Sequence, residues 1–155
     1  MQNGFIVLDF GSQYTQLIAR RLRELDVFSE ILVYDAPIEE IIKRKPCGII
    51  LSGGPNSVFE PQSPRRDVRE LLKLAPVLGI CYGMQLVTQE FGGVVEAGAR
   101  REYGLNFIQW SENLREVPAH QKVWMSHGDM VKVPPPGFEV VAASETEIPA
   151  AMKGP

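Results

Sequence analysis

The 155-residue sequence contains only two histidines and two cysteines, so it has few of the side chains that commonly build catalytic and metal sites. The apolar run at residues 5–8 is too short for a signal-peptide core or a membrane span, and the residues before it carry no basic group. A net charge of -3 provides no basic surface for nucleic acid or an anionic membrane. We therefore expect a cytoplasmic protein that binds neither, and whose cysteines remain thiols.

Strand and helix patterns alternate along the first ninety residues. Apolar runs typical of buried parallel strands are followed by helical periodicity, which favours a sheet with helices on both faces. After Gly92 no long helical period occurs, and short strand patterns dominate. The sequence predicts one α/β domain over residues 1–155, with a mostly parallel central sheet and a β-rich C-terminal extension. The predicted strands are residues 5–9, 27–34, 46–52, 77–80, 94–96, 105–110, 138–142 and 150–152, and the predicted helices are residues 14–25, 37–43, 65–74 and 86–91.

Cys81 lies between a predicted buried strand and a helix, in the segment Gly79-Ile80-Cys81-Tyr82-Gly83. In the serine version of this pattern, the nucleophile sits on a sharp strand-to-helix turn that the flanking glycines permit, and cysteine fits the same geometry. The helix N-terminus favours the thiolate, and Gln85 lies one turn further on the same helix face. From this motif alone Cys81 is either a nucleophile or a small hydrophobe at the end of a strand.

Two glycines follow the third predicted strand. Gly53 and Gly54 precede Pro55 at the carboxyl end of that strand, where open α/β sheets bind ligands. They form either a simple turn or a backbone segment whose N–H groups are open to an anionic ligand. Cys47 lies at the opposite end of the strand, so we predict a structural role for it.

The two histidines lie in different settings. His120 lies in a polar segment that predicts an exposed loop, so we expect no catalytic role for it. His127 follows an apolar stretch and precedes Gly128 and Asp129. Chemistry alone allows a triad of Cys81, His127 and Asp129, or a turn at residues 126–129 whose backbone does the binding.

Four sequence blocks carry a family resemblance, at residues 8–17 (LDFGSQYTQL), 51–55 (LSGGP), 79–85 (GICYGMQ) and 123–129 (VWMSHGD). The second and third blocks resemble class I, triad-type glutamine amidotransferases in general. The first and fourth resemble the amidotransferase domain of bacterial GMP synthetases in particular. Together the blocks span nearly the whole chain.

The resemblance implies that Cys81 attacks the side-chain amide of glutamine, forming a γ-glutamyl thioester and releasing ammonia. It also implies that the backbone N–H groups of Gly54 and Tyr82 form an oxyanion hole. By the same resemblance, the histidine at position 127 holds glutamine and is not the family's base. The residues that would bind glutamine are Gln85, Ser126, His127, Gly128 and Asp129.

The resemblance places the catalytic histidine and glutamate in a Phe-His-Pro-Glu segment beyond the point that matches Pro155. We therefore expect an amidotransferase domain truncated before that segment, with no metal or cofactor of its own. ATP and Mg²⁺ are expected on an absent synthetase (ATP-pyrophosphatase) domain, which would be the partner of this one. The resemblance further implies a homodimeric intact enzyme.

By resemblance, the ammonia would convert ATP-activated XMP to GMP in purine nucleotide biosynthesis. Two alternatives stay open. The chain is a domain of another class I enzyme, such as one of anthranilate or CTP synthesis, although residues 12–14 and 124–127 argue against this. Otherwise it is a glutamine-binding module without turnover, an interpretation motivated by the missing base.

Overall fold

The protein is described by a computed structural model that covers residues 3–111 and 117–155, without the side chains of residues 99–103, 126 and 127. The chain forms two compact units, residues 1–87 and residues 88–155. Each unit has its own sheet, and the second unit is the β-rich C-terminal part that the sequence predicted. None of the described helices is long and apolar enough to cross a membrane.

The first unit contains a four-stranded parallel sheet in the order β2-β1-β3-β4. This confirms the parallel α/β architecture predicted from the alternating patterns. The chain winds in opposite directions from β1 and β3, so the carboxyl ends of these neighbouring strands form a topological switch point, the usual ligand position in such sheets. The elements are β1 Phe5–Asp9, α1 Thr15–Glu24, β2 Ser29–Val33, α2 Ile38–Arg44, β3 Gly48–Leu51, α3 Val68–Leu72, β4 Val77–Gly79 and α4 Tyr82–Glu90, the last of which continues into the second unit.

The core of the first unit lies on both faces of its two central strands. Val7 of β1 and Ile50 of β3 pack with Ala19 of α1 on one face. Leu8 and Leu51 point to the opposite face, because side chains alternate along a strand, and both are fully buried. The continuous apolar runs of β1 and β3 therefore reflect strands covered on both sides, which holds their carboxyl ends in place.

The second unit is a four-stranded antiparallel sheet in the order β6-β5-β7-β8. Its strands are longer than the predicted ones, because β5 includes both predicted strands between residues 94 and 110. The pairing of β5 with β6 shifts register between Ala97 and Glu102, so a bulge interrupts the ladder there. The strands are β5 Val94–Trp110, β6 His120–Val133, β7 Glu139–Ser144 and β8 Pro149–Lys153.

Two predictions about β6 are wrong. Residues 126–129 do not form a turn but continue the strand, with Ser126 paired to Tyr103 and Asp129 paired to Ala97. His120 does not lie in a loop but is the first residue of β6, exposed and paired to Gln109. The sequence did not predict this strand because β6 lies at the edge of its sheet. Edge strands tolerate polar residues and need not show the apolar alternation of a buried strand.

Candidate active site at the carboxyl ends of the parallel strands

Loops that follow β1, β3 and β4 meet at the carboxyl edge of the first sheet. The loop after β1 is shaped by Asp9, whose carboxylate accepts hydrogen bonds from Gly11 N at 2.9 Å and from Thr15 Oγ1 at 2.8 Å. Gly11 has a φ of +93°, which a glycine adopts without strain. This loop therefore turns tightly into α1 and lies against the turn that follows β3.

The backbone at Cys81 has the geometry of a nucleophile elbow. Its φ of +49° lies in the left-handed region, which residues other than glycine rarely adopt. Gly83 N donates to Ile80 O at 2.9 Å and Gln85 N donates to Cys81 O at 3.0 Å, so the strand turns into α4 across this one residue. A strained residue at a strand-to-helix turn is typical of exposed nucleophiles, and Cys81 is exposed.

The two glycines that flank this elbow allow close packing. A methyl group on Gly79 would lie 2.5 Å from the carbonyl carbon of Gly83, and one on Gly83 would lie 2.6 Å from Leu51 O. Neither position has room for a side chain without movement of backbone. The sequence-based prediction that these glycines let the turn pack tightly is confirmed.

The thiol itself is less acidic than the sequence predicted. Although Cys81 is exposed as a residue, protein atoms around its sulfur remove water, and this desolvation raises the pKa of the Cys81 thiol above its ordinary value. A thiol with a raised pKa is protonated at neutral pH and needs a proton acceptor, yet residues 1–87 contain no histidine.

The glycine turn after β3 lies against the elbow. A methyl group on Gly53 would lie 3.5 Å from Cys81 Cβ and 3.7 Å from Ser12 Oγ. Gly54 packs on the backbone of Phe10, since a methyl group there would lie 2.5 Å from Phe10 O. The structure thus brings the Gly-Gly-Pro turn next to Cys81, although β3 and β4 are far apart in sequence.

Tyr82 supplies the other predicted oxyanion donor. It is the first residue of α4, so its backbone N–H has no acceptor within the helix. Its side chain is buried, its hydroxyl donates to Pro64 O at 2.6 Å, and its ring lies 5.6 Å from the ring of Phe10. These contacts anchor the start of α4 and hence the direction of its first N–H group.

The remaining predicted glutamine-binding residues are divided between the units. Gln85 lies one helical turn beyond Cys81 and is buried. The others belong to β6 of the second unit, and the side chains of two of them are outside the described residues. Their binding roles stay predictions. These β6 residues are Ser126, His127, Gly128 and Asp129.

Cys47 lies at the amino end of β3, away from the elbow, as predicted. Its Sγ donates to Gly4 O at 3.3 Å, and the residue is exposed. Within the described part of the chain, no cluster of three or more His, Cys, Asp and Glu side chains could hold a metal ion.

Sequence reasoning missed two serines at this site. Ser52 is completely buried between the loops after β1 and β3, and Ser12 approaches Gly53. Both lie within the sequence blocks that carry the family resemblance, but a serine beside a glycine turn is ordinary, so nothing in the pattern marked either residue.

Comparison with known proteins agrees with this geometry. The profile of the class-I glutamine amidotransferase family matches residues 6–155. The chain is 59% identical to the glutamine-hydrolysing GMP synthase of Bdellovibrio bacteriovorus over 98% of its own length, and 55% identical to that of Thermus thermophilus over 97%. It spans 30% of the length of each of these relatives.

Solved structures show the same fold. A Thermoplasma acidophilum protein described as a GMP synthase component superposes with a TM-score of 0.79 at 25% identity, covering 99% of this chain and 79% of that one. A glutamine amidotransferase from Thermotoga maritima superposes with a TM-score of 0.77 at 22% identity, covering 99% of this chain and 73% of that one. The elbow cysteine, the facing glycine turn and the match along nearly the whole chain lead to one conclusion: this chain belongs to the class-I glutamine amidotransferase family.

Proposed function

We propose that this chain is the glutamine-hydrolysing part of a GMP synthase. The observation that carries the proposal is the left-handed backbone of Cys81, which holds this exposed residue beside the Gly53–Gly54 turn. The named relatives are glutamine-hydrolysing GMP synthases, and the high identity over nearly all of this chain supports the same substrate here.

In the proposed reaction, the Cys81 thiol gives its proton to a base and its sulfur bonds to the amide carbon of glutamine. The C=O π electrons move to oxygen, forming a tetrahedral oxyanion that accepts hydrogen bonds from Gly54 N–H and Tyr82 N–H. Collapse of this intermediate breaks the C–N bond, and nitrogen takes the proton from the base and leaves as ammonia. Water then adds to the γ-glutamyl thioester, and thiol departure releases glutamate.

The proton acceptor is proposed to lie outside the first unit. The raised pKa of the Cys81 thiol makes such a base necessary, and residues 1–87 offer no histidine. The resemblance places the base and its orienting glutamate beyond the residues that match this chain. His127 is assigned to glutamine binding on the same ground.

The remaining properties of the proposed enzyme belong to the larger protein. The relatives are much longer than this chain, which supports a synthetase region as its partner. There ATP and Mg²⁺ would activate XMP, and the ammonia would convert it to GMP. We propose a cytoplasmic, homodimeric enzyme on the strength of the resemblance alone.

Covalent labelling tests the nucleophile independently of the base. In 6-diazo-5-oxo-L-norleucine a diazomethyl ketone replaces the amide of glutamine. The thiol proton passes to the diazo carbon, a C–S bond forms and N₂ leaves, so the reaction needs no other proton acceptor.

Mass spectrometry should find the label on Cys81 in wild type and in the matched control Cys47→Ser, but not in Cys81→Ser. Glutamine should prevent labelling, while asparagine should not. The proposal would be overturned if glutamine did not prevent the labelling, or if wild type were not labelled at all.

A glutamine-binding module without turnover is the second candidate, favoured by the protonated thiol and by the lack of a histidine in residues 1–87. The two functions are separated by measuring glutamate release from L-glutamic acid γ-monohydroxamate, whose hydroxylamine leaving group is a weaker base than ammonia. Cys81-dependent release identifies an enzyme. Binding of glutamine with neither release nor labelling of Cys81 by 6-diazo-5-oxo-L-norleucine identifies the module.

A further inference from the structure

Ser52 forms two hydrogen bonds in a completely buried position between the loops that follow β1 and β3. Its Oγ accepts from Phe10 N at 2.9 Å and donates to Gly53 O at 2.8 Å. A carbonyl oxygen carries no hydrogen and can only accept, so the single hydrogen of the Ser52 hydroxyl points to Gly53 O. The direction of the bond to Gly53 O is therefore determined by the structure.

The carbonyl that Ser52 holds belongs to the same peptide unit as Gly54 N–H. A peptide unit is planar and trans, so its C=O and N–H point in opposite directions. A hydrogen bond that holds Gly53 C=O toward Ser52 directs Gly54 N–H away from Ser52. The orientation of one predicted oxyanion donor is thus set by a side chain that does not face the substrate.

Such a restraint is needed because this peptide joins two glycines. Glycine has the widest backbone freedom of any residue, so a Gly-Gly peptide rotates more readily than others. At Gly53 a methyl group would meet no described atom closer than 3.5 Å, whereas one at Gly54 would lie 2.5 Å from Phe10 O. The hydroxyl of Ser52 adds a directed hydrogen bond at the Gly53 end of the peptide to the packing at its Gly54 end.

The same hydroxyl also links the two halves of the predicted oxyanion hole. By accepting from Phe10 N, it fixes the backbone on which Gly54 packs. The ring of Phe10 lies 5.6 Å from that of Tyr82, whose N–H is the second predicted donor. A shift of Phe10 would therefore displace both predicted donors, Gly54 N–H and Tyr82 N–H.

We propose that Ser52 is a positioning residue that locks the Gly53–Gly54 peptide in the orientation that stabilises the tetrahedral oxyanion. This inference rests on the proposed function, because it assumes that Gly54 N–H binds the oxyanion. It assigns no contact between Ser52 and glutamine. Loss of the hydroxyl should consequently slow thioester formation while leaving ground-state binding of the substrate unchanged.

The test compares Ser52→Ala with wild type in thioester formation from L-glutamic acid γ-monohydroxamate, followed by acid quench and intact mass. Removing an oxyanion donor costs about 10²–10³ in kcat, so loss of its positioning residue should cost less, about 10-fold, with KM unchanged within about threefold. Alkylation of Cys81 by iodoacetamide forms no oxyanion and should change by less than about twofold. A KM increase without a kcat loss would overturn the inference.

Three further variants keep the result interpretable. Ser52→Thr retains the hydroxyl and should restore most of the rate. Ser52→Cys keeps nearly the same volume with a weak donor, and should reproduce the loss if the alanine variant does not fold. Ser63→Ala is the matched control, because Ser63 is also buried but its hydroxyl has no hydrogen-bond partner among the described residues.

The outcomes separate this inference from the proposed function. If 6-diazo-5-oxo-L-norleucine does not label Cys81 in wild type, the proposed function fails and this inference fails with it. If wild type reacts and Ser52→Ala reacts equally fast, only the positioning role fails. A rate loss in Ser63→Ala of the same size, or a parallel loss in iodoacetamide alkylation, would also overturn the role of Ser52.

Discussion

Cys81 has a strained backbone conformation and a thiol whose pKa is raised. Its left-handed φ costs about 1–2 kcal/mol for a residue with a Cβ atom. Desolvation raises the pKa of its thiol, so the neutral form predominates near pH 7. Both features fit a residue held in place for chemistry at the expense of stability, and each can be measured separately.

The backbone strain predicts an inverted order of stability for two substitutions. Cys81→Gly should be more stable than Cys81→Ala by about 1 kcal/mol, because glycine adopts a positive φ without strain. Urea unfolding measures the difference. Cys47 is the control, since its φ is not in this region: there alanine should be more stable than glycine by about 0.5–1 kcal/mol. The same order at both positions would contradict strain at the elbow.

The raised pKa predicts the pH dependence of thiol reactivity. In Cys47→Ser, Cys81 is the only thiol, and its alkylation by iodoacetamide should have its midpoint at higher pH in the folded protein than in urea. Because the folded pKa exceeds the unfolded one, the folded state binds the proton more tightly. Stability is therefore complete below the unfolded pKa and falls as the pH rises through the folded pKa. A folded midpoint below the unfolded one would show that the helix N-terminus dominates instead.

At the scale of elements, glycines set how closely α4 approaches the parallel sheet. Gly83 brings the first turn of α4 against β3, and Gly79 ends β4 against the same turn. The direction of α4, and with it the N–H of Tyr82, depends on these backbone contacts. Helix packing and the predicted oxyanion hole are thus two aspects of one arrangement.

This arrangement predicts different effects for two glycine-to-alanine substitutions. Gly83→Ala should lower the free energy of unfolding by about 1–3 kcal/mol, because its methyl group would lie 2.6 Å from Leu51 O. Gly53→Ala should change it by less than about 1 kcal/mol, since its nearest described neighbour would be 3.5 Å away. Circular dichroism during urea unfolding compares them. Equal losses of unfolding free energy in the two variants would show that the close contact between Gly83 and β3 does not determine stability.

For the whole molecule, the division of groups between the two units is the main feature. The first unit contains the cysteine, the glycine turn and the start of α4, whereas both histidines lie in β6 of the second unit. The first unit therefore contains the proposed nucleophile, Cys81, and no histidine. In the proposed function, the histidine that accepts the proton of Cys81 therefore lies outside the first unit.

Substitution of His127 decides between its two assignments. If His127 binds glutamine, His127→Ala should raise KM for L-glutamic acid γ-monohydroxamate about 10-fold and leave kcat within about threefold. If it is the base of a triad with Cys81 and Asp129, kcat should instead fall by at least about 10²-fold. His120→Ala should change neither value. A kcat loss in His127→Ala would overturn our assignment of the base.

The parts of the structure that could be predicted from the sequence are those that produce a local sequence pattern. The parallel strands were predicted because burial on both faces produced continuous apolar runs, as in β1 and β3. The strand β6 was not predicted as one element, since polar residues at an edge strand interrupt the pattern. Ser52 was missed because its importance lies in two hydrogen bonds, to Phe10 and Gly53, that no spacing reveals.

The sequence by itself determined the order of elements, the glycine-flanked cysteine and the family of the chain, because local propensity and short motifs are written in neighbouring residues. Tertiary structure alone decided that Gly53 lies beside Cys81, that the thiol pKa is raised, and that Ser52 holds the peptide carrying Gly54 N–H. These features depend on contacts between residues distant in the chain. They exist only once the parallel sheet has brought its carboxyl ends together.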